Sequence, residues 1–137
     1  MEFPPLRDAT VYTALPALDL ERAKDFFREQ LGLIPAGETE STVIYQVPQG
    51  HIVLFLSNGK ASGEHTQIGW VVADVARTVA ELRERGVVFV EYDYPDFKTV
   101  DGIATFGENR YAWFLDTEGN MHGVAQFAED DPAVSTG

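Results

Sequence analysis

The chain offers few side chains able to do chemistry alone. Its three histidines, His51, His65 and His122, are scattered, and it contains no cysteine. Without thiols there is no disulfide, no thiolate metal site and no cysteine nucleophile, and the redox compartment stays open. Neither a G-x-S-x-G nucleophile elbow nor a Walker-type phosphate loop occurs. The nearest approach to a cluster of metal donors is EHTQ, with Glu64, His65 and Gln67. A slip of one residue in strand register would turn His65 inward there. A scattered histidine is more often structural than ligating, and that reading is preferred for all three. Glu38 and Glu40, near the edge of the first half, are read as solvated.

Aromatic residues carry more information. There are 9 Phe, 5 Tyr and 2 Trp, and three of them, Tyr92, Tyr94 and Phe97, are spaced along an irregular acidic segment with Pro95. Such a segment cannot bury them unaided. They can close over a pocket mouth, with Asp93, Asp96 and Asp101 nearby, or pack on their own body or on a second copy. Aromatic walls with a few placed polar groups make pockets for organic ligands, and carboxylates beside ring faces suit a cation.

Whatever these residues do, a fold must position them. The 137 residues fit one domain with one core, and 45% hydrophobic with 23% charged residues is ordinary globular composition. The formal charge of −12 repels phosphate backbones, which argues against nucleic acid as a partner. No apolar run reaches the ~18 residues of a membrane span, and the first residues, MEFPPLRDAT, lack the pattern of a secretory signal. The cytoplasm is therefore the expected compartment. The acidic tail AEDDPAVSTG reads as a frayed end.

The middle of the chain hides a repeat. LPALDLERAKDFFREQLGL begins at Leu15, and WVVADVARTVAELRERGVV begins at Trp70, an offset of 55 residues. Each ends a strand and then places an Asp (Asp19, Asp74) where it can cap a helix. In each, an amphipathic run follows: Leu20, Ala23, Phe27 and Leu31 share one face, as do Val75, Val79 and Leu82. Gly32 and Gly86 then stand where a helix ends in a left-handed residue. Strands are predicted at TVYTALPAL, STVIYQV and HIVLFLS in the first half, with an edge strand or turn near PAGETES. In the second half they are predicted at TQIGWVVA, VVFVEYD, YAWFLD and MHGVAQF, with a short one around Ile103–Phe106 in a long loop. Trp70 should pack beneath the second helix. Each half reads β-α-β-β-β, as modules 8–58 and 64–128 of a single domain, 1–137, joined by the linker SNGKASGEHT.

LDLERAKDFFREQLGL, VADVARTVAELRERGV and WFLDTEGNMHGV closely resemble the vicinal-oxygen-chelate superfamily of glyoxalases, bleomycin-resistance proteins and extradiol dioxygenases. The likeness spans about Thr10 to Phe127. It implies an α+β fold of two tandem βαβββ modules forming a curved, cup-shaped mixed sheet, with helices outside and a ligand or metal in the concavity, often completed within a dimer. In metal-dependent relatives each module gives one ligand from its first strand and one from its last. The matching positions are Tyr12, Val53 or Leu54, Gln67 and Gly123. Of these only Gln67 is a familiar ligand type, since glycine and aliphatic side chains donate nothing. By strand alternation His122 points away from Gly123's face.

The expectation is a glyoxalase-like protein that lacks the usual metal site and needs no cofactor. Its pocket would bind or sequester an aromatic or cationic organic molecule, with Tyr12, Val53, Gln67, Tyr92, Tyr94, Phe97 and Gly123 as candidate contacts. Tyr12 would be a hydrogen-bonding anchor or a plain part of the pocket wall; no catalytic residue is identified. Two other classes stay open: a lyase, isomerase or dioxygenase using non-standard metal ligands, and an interaction module whose cup its own side chains fill. A homodimer is expected.

Overall fold

The computed structural model describes residues 6–128. Local chemistry sets the elements. Asp19 caps α1 (Leu20–Glu29) by accepting from the Arg22 N–H at 3.0 Å. Asp74 caps α2 (Val75–Glu84) in the same way, from Arg77 at 3.1 Å. Each such cap is worth about 1 kcal/mol. Past the helices, Gly32 and Gly86 take φ of 74° and 92°, a region costly for any residue with a Cβ.

In the first half, β1 (Tyr12–Ala17) precedes α1, and β2 (Gly37–Glu38), β3 (Thr42–Val47) and β4 (Gly50–Leu56) follow it. The sheet order is β1-β4-β3-β2, with β1 parallel to β4 and the other pairs antiparallel. In the second half β5 (Thr66–Val71) precedes α2. After α2 come a hairpin of β6 (Asp93–Tyr94) and β7 (Phe97–Lys98), then β8 (Ala104–Phe106), β9 (Asn109–Leu115) and β10 (Met121–Gln126). Its main sheet runs β5-β10-β9-β8, with β5 parallel to β10. The two halves share one connectivity, and the α+β fold of two βαβββ modules is what the molecule has.

The second half differs from the sequence reading in one respect. VVFVEYD adds no strand to the main sheet: Phe89 forms a single bridge to Phe114, and the Val90 N–H donates to the Trp113 carbonyl at 2.8 Å. The run alternates like a strand, with Val87 and Phe89 buried and Val88 exposed. However, β8 takes the β9 edge over residues 109–111 and leaves only its far end free. The chain then folds back as β6–β7, a hairpin where the sequence shows only a loop. The acidic tail lies, apart from Ala128, outside the described residues.

Alternation splits each sheet into a helix face and an open face. Leu15, Ala17, Val43, Tyr45, Ile52 and Leu54 look inward from the first sheet; Ile68, Ala112, Phe114 and Val124 do so from the second. Both sets belong to one core. The core is knitted by α1, whose Phe26 meets Phe114 at 6.4 Å and whose fully buried Phe27 meets His122 at 5.8 Å. Burying one such ring is worth about 2 kcal/mol or more.

Candidate functional site

The open face of the second sheet is built around Gly123. Parallel pairing sets Gly123 beside Gly69, and antiparallel pairing sets it opposite Trp113. A Cβ at Gly123 would lie 3.2 Å from Thr66 Cγ2 and 3.4 Å from Trp113 Nε1. The indole therefore occupies the space that a longer side chain here would enter. In the first sheet the same register pairs Ala14 with Val53, 55 residues before Gly69. That register decides between the two aliphatic candidates: Val53 is on the open face, and Leu54 is fully buried on the helix face. Tyr12 shares the open face of the first sheet with its pair partner His51 and is 62% exposed.

The β6–β7 hairpin folds its rings onto the second sheet. Tyr92 meets Phe97 edge-on at 5.2 Å and Trp113 at 5.6 Å, and stacks with Tyr94 at 6.2 Å. Phe97 lies 5.4 Å from Trp113 and 5.7 Å from Phe106, and Tyr111 stacks on Trp113 at 6.0 Å. Between Tyr92, Tyr94, Phe97, Trp113 and Met121 opens a cleft of about 320 Å³, with Glu64 and His65 at its rim. Burial, followed by the neighbouring Tyr94, pushes the Tyr92 phenol above its usual range. The structure thus joins Tyr92, Tyr94 and Phe97 in one cleft on the sheet that carries Gly123. Tyr12 and Val53 stand on the other sheet.

Trp113, Phe106, Tyr111 and Met121 were not singled out from the sequence. The signal was present: Tyr111 and Trp113 have the parity of the strand position opposite Gly123.

Gln67, on the same open face, is held from behind. Its Nε2 donates to Asn120 Oδ1 at 3.0 Å. Asn120 in turn donates from Nδ2 to the Pro16 carbonyl at 3.0 Å and to Asp116 Oδ2 at 3.2 Å. This order of donors fixes the Gln67 amide and leaves its Oε1 buried without a hydrogen-bond partner. Such an unpaired buried acceptor costs about 1–3 kcal/mol.

His122, as alternation implies, lies on the opposite face and is fully buried. Trp70 Nε1–H donates to its Nδ1 at 3.0 Å, so the ring proton sits on Nε2 and is donated to Asp116 Oδ2, also at 3.0 Å. The ring is a core residue and stacks on Phe114 at 4.7 Å. His65 meets only Ser62, at 3.4 Å, among the contacts described. Among the described residues no group of three or more His, Cys, Asp or Glu is placed to hold a metal ion.

Comparison with known proteins decides the family. The model of the glyoxalase/bleomycin resistance protein/dioxygenase superfamily matches residues 10–130. The chain belongs to that superfamily. Solved structures agree in fold. A glyoxalase/bleomycin resistance protein/dioxygenase from Nocardioides superposes with a TM-score of 0.66 at 17% identity, covering 91% of this chain and 87% of its own. A lactoylglutathione lyase from Agrobacterium tumefaciens gives 0.60 at 18%, with 87% and 93% covered. A fosfomycin resistance protein from Listeria monocytogenes gives 0.64 at 13%, with 88% and 93% covered. No curated protein matches the chain.

The four positions that the resemblance aligns with metal ligands now have a geometry. Gly123 and Val53 bring no donor atom, and Tyr12 offers an exposed phenol. Gln67 offers one fixed amide oxygen. That set does not fit a divalent metal, which asks for imidazole and carboxylate donors.

Proposed function

We propose that this superfamily member holds an aromatic or cationic organic molecule on the open face of its second sheet, without the metal its relatives use. The carrying observation is Trp113 seated against Gly123, with Tyr92, Tyr94 and Phe97 completing the wall. Ring faces recognise planar or cationic groups, and Glu64 supplies a carboxylate at the rim. Tryptamine and benzyltrimethylammonium, each with a neutral analogue, are suitable first compounds. The melting temperature is expected to rise with their concentration, as mass action requires, and Trp113→Ala is expected to weaken binding at least tenfold. Unchanged affinity in that variant refutes the reading.

The protein is proposed to act as a homodimer in the cytoplasm. Tyr12, Val71, Phe106 and Leu115 all belong to the open faces and are 62%, 61%, 45% and 42% exposed. Exposed apolar groups on such faces favour a covering partner. Val71→Asp with Leu115→Lys is expected to yield a monomer by sedimentation. A wild-type chain that sediments as a monomer at micromolar concentration removes this part of the proposal. Among the described residues no helix is long and apolar enough to cross a membrane.

A metal-dependent lyase, isomerase or dioxygenase with non-standard ligands is the second reading. The unpartnered Gln67 oxygen is the observation in its favour. Stoichiometric metal in protein purified without chelator, lost in Gln67→Leu, would select it.

A further inference from the structure

A second cavity lies on the helix face, with the sheet between it and the aromatic cleft. It is a cleft of about 150 Å³ between the chain leaving α1, at Leu31 and Leu33, and the flank of α2 at Leu82. Trp70, Phe114 and Val124 form its floor, and Thr78 brings the one polar side chain. No charged residue lines it. Trp70 has already given its N–H to His122, so it offers a ligand only its hydrocarbon and ring face.

The repeat explains why this space exists. An offset of 55 residues puts Leu82 where the first module has Phe27. Phe27 is fully buried, stacks on Tyr45 at 5.0 Å and closes its half of the core. Leu82 is shorter and only half-buried. The same register puts Trp70 opposite the first module's Leu15, so an indole underlies the gap that the shorter side chain leaves.

We propose that this cleft is a binding site for a small uncharged apolar molecule of about one aromatic ring, separate from the aromatic cleft on the open face. The walls of this cleft give water almost no hydrogen-bond partners, and about 150 Å³ has room for a benzene-sized guest. A charged ligand is disfavoured by the lack of any compensating group.

Iodobenzene tests this in the full-length chain, because its heavy atom quenches an indole that it touches. In Trp113→Phe only Trp70 emits, and saturable quenching by iodobenzene is expected. Adding Leu82→Phe should fill the cleft from the side that Phe27 fills in the first module. That change should weaken the quenching at least tenfold and raise the melting temperature. Thr78→Ile, which fills the cleft from α2, should act in the same direction if Leu82→Phe folds poorly. Non-saturable quenching of Trp70, or saturable quenching that survives both filling substitutions, overturns the proposal. Leu82→Phe alone should leave tryptamine binding on the open face unchanged, so the two sites can fail separately.

Discussion

Glu118→Ala should lower the melting temperature by about 10 °C, from a loss of about 3 kcal/mol in a domain of this size. The side chain is fully buried in the turn between β9 and β10 and serves an element far away in sequence. Its Oε1 accepts from the Leu18 and Asp19 backbone N–H groups at 2.9 and 3.0 Å. Arg22 donates from Nε to Oε2 at 2.7 Å and from Nη2 to Oε1 at 3.1 Å, and the Thr117 hydroxyl adds a bond at 3.0 Å. Burial by itself would raise this carboxyl's pKa. The Arg22 and Asp19 bonds, the Thr117 bond and the Arg22 charge together outweigh it and hold the group at about 2.

The sign follows from that depression. The unfolded chain releases the proton near 4.3, so the carboxylate's contribution is complete above that pH and is lost as pH falls toward about 2. Urea unfolding should therefore show the largest gap between wild type and Glu118→Ala near pH 6. The gap should close progressively below pH 4.5. A gap that is constant from pH 7 to pH 2.5 would show that the carboxylate's charge has no such role.

Asp116→Asn is the second large effect, and it tests a proton's position. Asp116 Oδ1 accepts from the Glu118 and Asn120 backbone N–H groups at 2.9 and 3.0 Å, while Oδ2 takes the His122 ring and the Asn120 amide. An asparagine can keep one oxygen on the two backbone donors. Its NH₂ must then face Nε2–H of His122 and the Asn120 amide, donor against donor. The ring cannot switch tautomer to relieve this, because Trp70 N–H already occupies Nδ1. A buried donor left unpaired costs about 1–3 kcal/mol, and two are created. Asn should therefore be nearly as damaging as Ala, about 3 kcal/mol by denaturant titration. An almost neutral Asp116→Asn would mean that the Trp70–His122 bond is not made in solution.

Much of the architecture could be read from residue spacing because each signal was local and repeated. Asp19 and Asp74 announce the helix starts, Gly32 and Gly86 their ends, and the 55-residue offset ties the halves together. VVFVEYD misled because its alternation is genuine: Val87 and Phe89 do turn inward. Its hydrogen-bonding edge is claimed instead by a segment from further along the chain, and no local pattern records that competition. The site was legible in part. Tyr92, Tyr94 and Phe97 stood out by composition, but their common platform, Trp113, looked like one more strand aromatic. Only the register of β9 on β10 shows that it faces Gly123. Glu118 passed unnoticed for the same reason, since its partners lie 96 to 100 residues earlier.

That separation matters for a chain leaving the ribosome. Leu18, Asp19 and Arg22 emerge early, yet the carboxylate that completes the start of α1 belongs to the last hairpin made. Phe26 likewise waits for Phe114. The packing of the first module is therefore expected to be completed only once β9 and β10 appear. For the same reason, a nick in the Ser57–Thr66 linker should leave two fragments that reassemble on mixing, and neither should hold its shape alone.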